Sequence, residues 1–248
     1  MIIVKNADEI SRMRVSGKIA AEVLDEVARA CVPGVTTAEL GEIGMVQIKA
    51  RGAESAFLGY KGFPGKICVS VNDAVVHGIP DSRRIEIGDI VGLDVGIIYD
   101  GFMGDTARTV KVGVTDPETL RLTAVTEQAL EAGIAQAVHG NRLYDISAAI
   151  QEVVEGAGFS VVRDFVGHGI GRSLHEDPQI PNFGQKGKGQ VLRTGMTFCL
   201  EPMVNMGVAE VDIQPDGWTV LTRDRQPSAH FEHMVAVGKG KAEVLTRL

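Results

Sequence analysis

Runs of basic residues are missing from this sequence. No stretch of Lys or Arg exceeds two residues, and 25 Lys and Arg stand against 32 Asp and Glu, for a formal net charge of −7 over 248 residues. A dedicated nucleic-acid binder shows a clustered basic face. We therefore expect that this protein does not recognise a nucleic-acid sequence.

Long apolar runs and paired cysteines are missing as well. Asp, Gly or Lys interrupts every apolar stretch well before the ~20 residues that a membrane span needs, and the first residues run at once into charge, unlike a signal peptide. Cys31, Cys68 and Cys199 form an odd, widely spaced set, which is typical of free thiols in a reducing compartment. These absences predict a cytoplasmic protein with no membrane partner.

Two cycles of helices followed by strands run along the chain. Helix-start signals stand at four positions: Asn6, Thr36, Asp116 and Asp145. Strand patterns follow each pair of helices, and the last of them reads as one continuous strand over Ala229–Val237. We predict one α+β domain over residues 1–248, with helices covering an antiparallel sheet and two similar halves, about 1–114 and 115–248.

Two acids occupy strand positions that otherwise read as buried. Asp94 lies inside the apolar run Ile90–Ile98, where an ionised carboxylate is costly unless a cation compensates it. A hairpin turn at Tyr99–Gly101 brings Asp105 either directly opposite Asp94 or one diagonal step away. Facing acids destabilise a ladder unless a metal binds them or one holds a proton. The alternative is an Asp on the solvated face of a hairpin.

Further acids and histidines share this unusual placement. Glu201 ends an apolar strand, and Glu232 lies within a segment of strong β character, on the same face as His230. His168 is surrounded by three glycines, which leave its imidazole uncrowded, and His175 follows seven residues later. Sequence motifs for serine hydrolases, zinc helices, phosphate loops and Cys pairs are absent. We therefore predict a carboxylate-rich metal site that contains histidine and holds two ions.

Five segments together resemble the methionine aminopeptidase family, in order and in spacing. They are Val76–Pro80, the Asp94 and Asp105 pair, Gly167–Gly171, Leu200–Pro202 and Phe231–His233. The resemblance runs from the first helix to the last strand. It implies the pita-bread fold, a curved antiparallel sheet covered by helices in two pseudo-symmetric halves, and the short bacterial (class I) form. The activity it implies is removal of the initiator methionine from nascent proteins when the second residue is small.

The resemblance also implies roles for individual residues. Five side chains would bind two divalent ions: Asp94, Asp105, His168, Glu201 and Glu232. Among them Asp105 and Glu232 would bridge the ions, and Glu201 would also move a proton during catalysis. His175 would stabilise the developing oxyanion, and His77 would position the peptide. Co²⁺, Mn²⁺, Fe²⁺ and Zn²⁺ all suit such a site, so the sequence leaves the identity of the ions open.

A methionine side chain needs an apolar pocket with aromatic edges. The sequence offers five residues for it besides the two substrate histidines: Tyr60, Phe63, Cys68, Leu174 and Trp218. His230, Met234 and Leu174 depart from the family pattern, where Gln, Thr and often an aromatic residue are expected. These departures leave the detailed shape of the site open.

Two other functions compete with this interpretation. A proline-directed aminopeptidase of the same family would need an extra N-terminal domain, and a non-enzymatic binding protein on the same fold would have lost metal ligands. We expect a monomer acting on peptide or nascent-protein N-termini, and the sequence leaves association with the ribosome open.

Overall fold

The computed structural model describes residues 2–248, which form four α-helices, a short 3₁₀ turn and fifteen β-strands. The helices are α1 (Ala7–Ala30), α2 (Thr37–Ala50), α3 (Pro117–Gln136) and α4 (Leu143–Gly156). The strands of the first half are β1 (Glu54–Ser55), β2 (Cys68–Val71), β3 (Ala74–Val76), β4 (Ile90–Tyr99) and β5 (Phe102–Lys111). Those of the second half are β6 (Ser160–Val161), β7 (Gly167–Gly169), β8 (Glu176–Ile180), β9 (Thr197–Leu200), β10 (Met203–Asn205), β11 (Val211–Ile213), β12 (Val220–Thr222), β13 (Ser228–His230), β14 (Glu232–Ala236) and β15 (Glu243–Val244).

The helix starts follow the capping signals of the sequence. Asn6 accepts a hydrogen bond from the backbone N–H of Glu9, whose side chain accepts from the Asn6 N–H, and Thr36 caps α2 in the same way. Helix α4 begins at Leu143, slightly earlier than predicted, because Asp145 accepts from the Arg142 N–H as the third residue of the helix. No helix within residues 2–248 combines the length and apolarity needed to cross a membrane.

One large antiparallel sheet carries most of the architecture. Its strand order is β1-β4-β5-β14-β9-β7-β8, with β2 paired to β4 and β15 paired to β14. Two three-stranded sheets, β13-β10-β6 and β11-β12-β3, flank it. Helix α1 packs on β4 and β5, and α3 packs on α4. This is the predicted α+β architecture, with two helices followed by strands in each half.

The hydrophobic core is divided between the two halves of the chain. One cluster joins α1 and α2 to strands of the first half, and a larger one joins α3 and α4 mainly to strands of the second half. Gly17 lets α1 lie directly on the last strands, since a Cβ at this position would stand 2.5 Å from the Leu245 carbonyl oxygen. Both helix pairs are therefore held against the sheet by apolar packing.

The predicted strand Ala229–Val237 is interrupted. The chain leaves β13 and enters β14 at Phe231, so that His230 belongs to a small sheet and Glu232 to the large one. The prediction of one continuous strand was wrong because residues on both sides of the break are buried, which hides it in the sequence. The interruption determines where His230 lies.

Candidate functional site

One cavity of about 220 Å³ collects all the residues predicted for the site. The predicted metal ligands in its wall are Asp94, Asp105, His168, Glu201 and Glu232. The predicted substrate residues there are Tyr60, Phe63, Cys68, His77, Leu174, His175 and Trp218. The four carboxylates among them lie on or beside one face of the large sheet. The fold thus brings together residues that are far apart in the sequence.

The sheet register explains how the acids converge. The hairpin turns about Asp100 and Gly101, both with positive φ, and pairs Tyr99 with Phe102. Asp94 then lies opposite Ala107, one diagonal step from Asp105, which decides between the two predicted turns. Glu232 on β14 pairs with the same Ala107 from the other side. Side chains in register share a face, so all three carboxylates point into the cavity.

The protein compensates these enclosed carboxylates only in part: the Cys68 thiol lies beside Asp94, and the Cys199 thiol lies beside Glu232. Asp105 is 4% exposed and Glu232 is 3% exposed. One oxygen each of Asp94, Asp105 and Glu232 is enclosed and has no hydrogen-bond partner in the described part of the chain, residues 2–248. Burial raises the pKa of Asp94 to about 7, and burial together with neighbouring acids raises the pKa of Asp105 and Glu232 well above the ordinary carboxyl range. The free protein therefore favours partly protonated acids here.

His168 presents one nitrogen to these acids. Its Nδ1 lies 2.9 Å from the Gly169 carbonyl oxygen, to which it donates, so the lone pair is on Nε2. Nε2 lies 3.8 Å from Asp105 Oδ2 and 3.5 Å from Glu201 Oε1. Burial and the nearby His175 lower the pKa of His168 to about 3, which keeps it neutral. A carbonyl that fixes the tautomer of an imidazole is typical of a metal ligand.

The glycines beside His168 allow the backbones of neighbouring segments to come close. A Cβ at Gly167 would stand 2.4 Å from the Cys199 carbonyl oxygen, and one at Gly169 would stand 2.1 Å from that of Asp177. Side chains cannot be accommodated at either position, so β7 lies tightly between its neighbours and His168 is fixed in place.

The donor set fits a divalent cation. Ligand atoms of Asp105, His168, Cys199 and Glu232 all lie within 4.8 Å of one another. Unpartnered carboxylate oxygens and a neutral imidazole nitrogen are ligands that divalent first-row metals accept. Cys199 was missed as a member of this group because a lone buried cysteine in an apolar strand reads as core. It shares a register pair with His168, and its thiol lies beside Glu232.

Two histidines line the cavity apart from this group. The Tyr60 hydroxyl lies 2.7 Å from His175 Nδ1, and the two rings stack with centroids 5.3 Å apart. Burial, with Lys61 nearby, lowers the pKa of His175, so it is neutral near pH 7. When Tyr60 donates to Nδ1, the His175 proton is on Nε2, where it is available as a hydrogen-bond donor. His77 has a φ of 58°, a strained backbone held at the end of β3.

Aromatic and apolar side chains form another part of the cavity wall. The Phe63 and Trp218 rings meet edge to face at 5.1 Å, and His77 meets the Phe165 ring edge to face at 5.5 Å. Phe63, Cys68 and Leu174 belong to one small apolar cluster, which Tyr60 and Trp218 flank. Phe165 lies in a loop with no clear sequence pattern, so sequence reasoning missed it. The cavity thus has a charged wall and an apolar wall.

Comparison with known proteins places the chain in a family. Residues 11–239 match metallopeptidase family M24. The chain is 49% identical over 246 residues to a methionine aminopeptidase of Clostridium perfringens, covering 99% of both chains. Crystal structures of the methionine aminopeptidases of Thermotoga maritima and Rickettsia prowazekii superpose on it with a TM-score of 0.98, at 46% and 44% identity, and cover 100% of each chain. The pita-bread fold is therefore confirmed, and the chain belongs to metallopeptidase family M24.

Proposed function

We propose that this protein is a methionine aminopeptidase, which hydrolyses the first peptide bond of chains that begin with Met followed by a small residue. The observation that carries this proposal is the cavity with two unlike walls. Uncompensated buried carboxylates form one wall, and an apolar pocket with aromatic edges forms the other. Metal-dependent cleavage of the peptide bond that follows a residue with an apolar side chain requires both walls.

The charged wall is proposed to hold two divalent ions. Asp94, Asp105 and Glu232 would hold the ions through their unpartnered oxygens, and His168 and Glu201 would complete the set of ligands. The ions, when bound, supply Lewis-acid activation of water and of the scissile carbonyl. Mn²⁺, Fe²⁺, Co²⁺ and Zn²⁺ are all compatible with this mixed donor set.

Protein groups around the ions supply the remaining chemistry. Glu201 takes the proton of the attacking water on one carboxylate oxygen and passes it to the leaving amine. His175 donates from Nε2 to the carbonyl oxygen as negative charge develops there, and Tyr60 keeps that tautomer in place.

The apolar wall is proposed to select methionine. Phe63 and Trp218 present ring edges, with which a thioether sulfur makes favourable contacts. Cys68 and Leu174 supply a slender apolar lining. Shorter side chains lose apolar contact, so each methylene-sized change costs about 1–3 kcal/mol of discrimination. His77, at the edge of the cavity, limits the size of the second residue.

We also propose where the enzyme acts and in which oligomeric state. It acts as a cytoplasmic monomer on free peptides or nascent chains, and its three free, buried cysteines suit a reducing compartment. Light scattering of the purified protein tests the monomer. Cosedimentation with ribosomes tests whether the enzyme associates with them.

The test of the activity uses chelator-stripped protein reloaded with each metal in turn. We expect kcat/KM to be highest on Met-Gly and Met-Ala peptides and to be at least about 10-fold lower on Leu-Gly and Met-Lys peptides. If Leu-Gly or Met-Lys is cleaved as fast as Met-Ala, a broad metallo-aminopeptidase replaces this proposal. A protein that purifies without metal and ignores chelators is a binding protein instead.

A further inference from the structure

His230 lies behind the metal site and is held there by its backbone. It is the last residue of β13 and is 4% exposed. Its N–H donates to Thr109 Oγ1 at 2.9 Å, and its carbonyl oxygen accepts from the same hydroxyl at 2.8 Å. Thr109 is on β5, so this double contact fixes His230 against the large sheet. The position of the imidazole is therefore determined by the fold.

The Glu201 carboxylate lies near Nε2 of this imidazole. Nε2 lies 3.8 Å from Glu201 Oε2 and has no hydrogen-bond partner among residues 2–248. The other oxygen of the same carboxylate, Oε1, lies 3.5 Å from His168 Nε2. Glu201 is thus enclosed between two imidazoles, each facing a different oxygen. A buried ring nitrogen with no partner is rare in native proteins and calls for an explanation.

His230 differs from His168 in where it faces. His168 lines the cavity and belongs to the group of converging ligand atoms, whereas His230 belongs to neither. It is therefore not placed to touch substrate or to share the ion held by that group. The acid in residues 2–248 that forms an ion-pair contact with its Nε2 is Glu201.

We propose that His230 is a positioning residue for Glu201, donating from Nε2 to Oε2 so that Oε1 stays turned toward His168 and the metal. This inference rests on the proposed metal-dependent function and adds a residue to its site. A rotation of the Glu201 side chain that moves Oε2 by about 1 Å brings the pair to an ordinary N–H···O distance. With Oε2 held, the carboxylate loses the freedom to turn away from the ion.

The consequence is measurable in metal binding as well as in catalysis. Partners that orient a ligand typically change metal affinity or activity by about 10- to 100-fold when removed. Because Glu201 is also the proposed proton carrier, loss of its partner lowers kcat while KM for the peptide, set by the apolar wall, changes little. A purely structural role for His230 predicts lower thermal stability and neither of these effects.

The experiment compares His230→Leu with His230→Gln. Leucine keeps the apolar volume and removes the donor, and glutamine keeps an N–H donor at a similar reach. Mn²⁺ is titrated into chelator-stripped protein by calorimetry, and the absorption spectrum of the Co²⁺-loaded protein is recorded. We expect His230→Leu to weaken the second Mn²⁺ by about 10- to 100-fold and to alter the Co²⁺ spectrum. His230→Gln should stay within a few-fold of wild type.

His233→Leu is the matched control. His233 is three residues along the chain, on the other face, where its Nδ1 lies 2.9 Å from Thr246 Oγ1. Its loss should lower the melting temperature without changing Mn²⁺ affinity. If His230→Leu binds two Mn²⁺ with wild-type affinity and spectrum, or if His230→Gln is as impaired as His230→Leu, the positioning role is overturned. If the wild type binds Mn²⁺ but cleaves no methionine peptide, the proposed function fails while the positioning role is still decided by the titration.

Discussion

Two buried acid sites in this protein are built in opposite ways. Glu176 is surrounded by partners, because Lys5 Nζ lies 2.5 Å from its Oε2 and the backbone N–H groups of Arg172 and Ser173 donate to its Oε1. In the cavity, Asp94, Asp105 and Glu232 each keep an oxygen with no partner. The two sites therefore differ in whether the protein supplies partners for every buried carboxylate oxygen.

The contrast separates acids that stabilise the fold from acids kept for a ligand. A buried carboxylate is tolerated in a fold when a cation and hydrogen bonds replace its hydration, as at Glu176. Uncompensated acids cost free energy in the apo protein, and a bound divalent cation recovers it. The two sites should therefore respond in opposite directions when an acid is removed.

The largest effect is expected from Glu232→Ala. This variant should lose its peptidase activity, because Glu232 is the proposed bridging ligand, while the apo protein stays folded. Removing one of several acids that repel each other should leave apo stability unchanged or slightly raised. Peptide cleavage, metal content and thermal melting of the chelator-treated protein measure these outcomes. Near-normal turnover with full metal stoichiometry would exclude the bridging role.

The opposite result is expected from Glu176→Gln. The amide leaves Lys5, whose side chain is 3% exposed, without a counter-charge in the interior. Removing one partner of a buried ion pair typically costs about 3–5 kcal/mol of unfolding free energy. Denaturant titration measures it. Glu42→Gln, which breaks the exposed Lys66–Glu42 pair, is the control and should cost at most about 1 kcal/mol. Equal losses for the two variants would contradict the contrast.

His175 and Glu176 are adjacent in the sequence, but His175 lines the cavity and Glu176 belongs to the buried ion pair with Lys5. His175→Ala should lower kcat by about 10²–10³, the usual effect of losing one oxyanion donor, with metal content and stability nearly unchanged. Tyr60→Phe should lower kcat less, since it only releases Nδ1 of His175. Steady-state kinetics measure kcat for each variant, and metal analysis measures its metal content. A metal content that falls in step with activity makes His175 a ligand instead.

The sequence predicts the acids of the cavity better than it predicts the ion pair of Glu176. Asp94 stands out because a charge interrupts a strongly apolar strand, and the predicted hairpin places Asp105 near it, either opposite or one diagonal step away. Glu176 gives no such signal, because β8 is polar and its partner Lys5 lies 171 residues away. Acids in apolar strands are visible in a sequence, whereas compensation depends on contacts between distant segments.

Other features were hidden for related reasons. Two hairpin turns fitted the sequence equally well, and only the register shows that Asp100 and Gly101 form the loop. Cys199 has the burial of an ordinary core residue, so its place among the candidate metal ligands emerges only when β7 and β9 pair. Local pattern predicts elements and unusual charges, and the assembled sheet decides which of them meet.

The smallest effect is a pH dependence of apo stability that belongs to the uncompensated site. Burial raises the pKa of Asp94 from 3.8 to about 7, so the folded protein holds this proton over a range in which the unfolded chain has lost it. Its contribution is fully present below about pH 4 and is lost as pH rises through about 7, by at most about 1.4 kcal/mol for each pH unit. Thermal melts of chelator-treated protein between pH 5 and pH 8 should therefore fall more steeply for wild type than for Asp94→Asn. The comparison with Asp94→Asn removes the opposite trend from the buried histidines, whose lowered pKa values make stability rise with pH. Parallel profiles for the two proteins would mean that Asp94 is already compensated without metal, and the distinction from Glu176 would then rest on Asp105 and Glu232 alone.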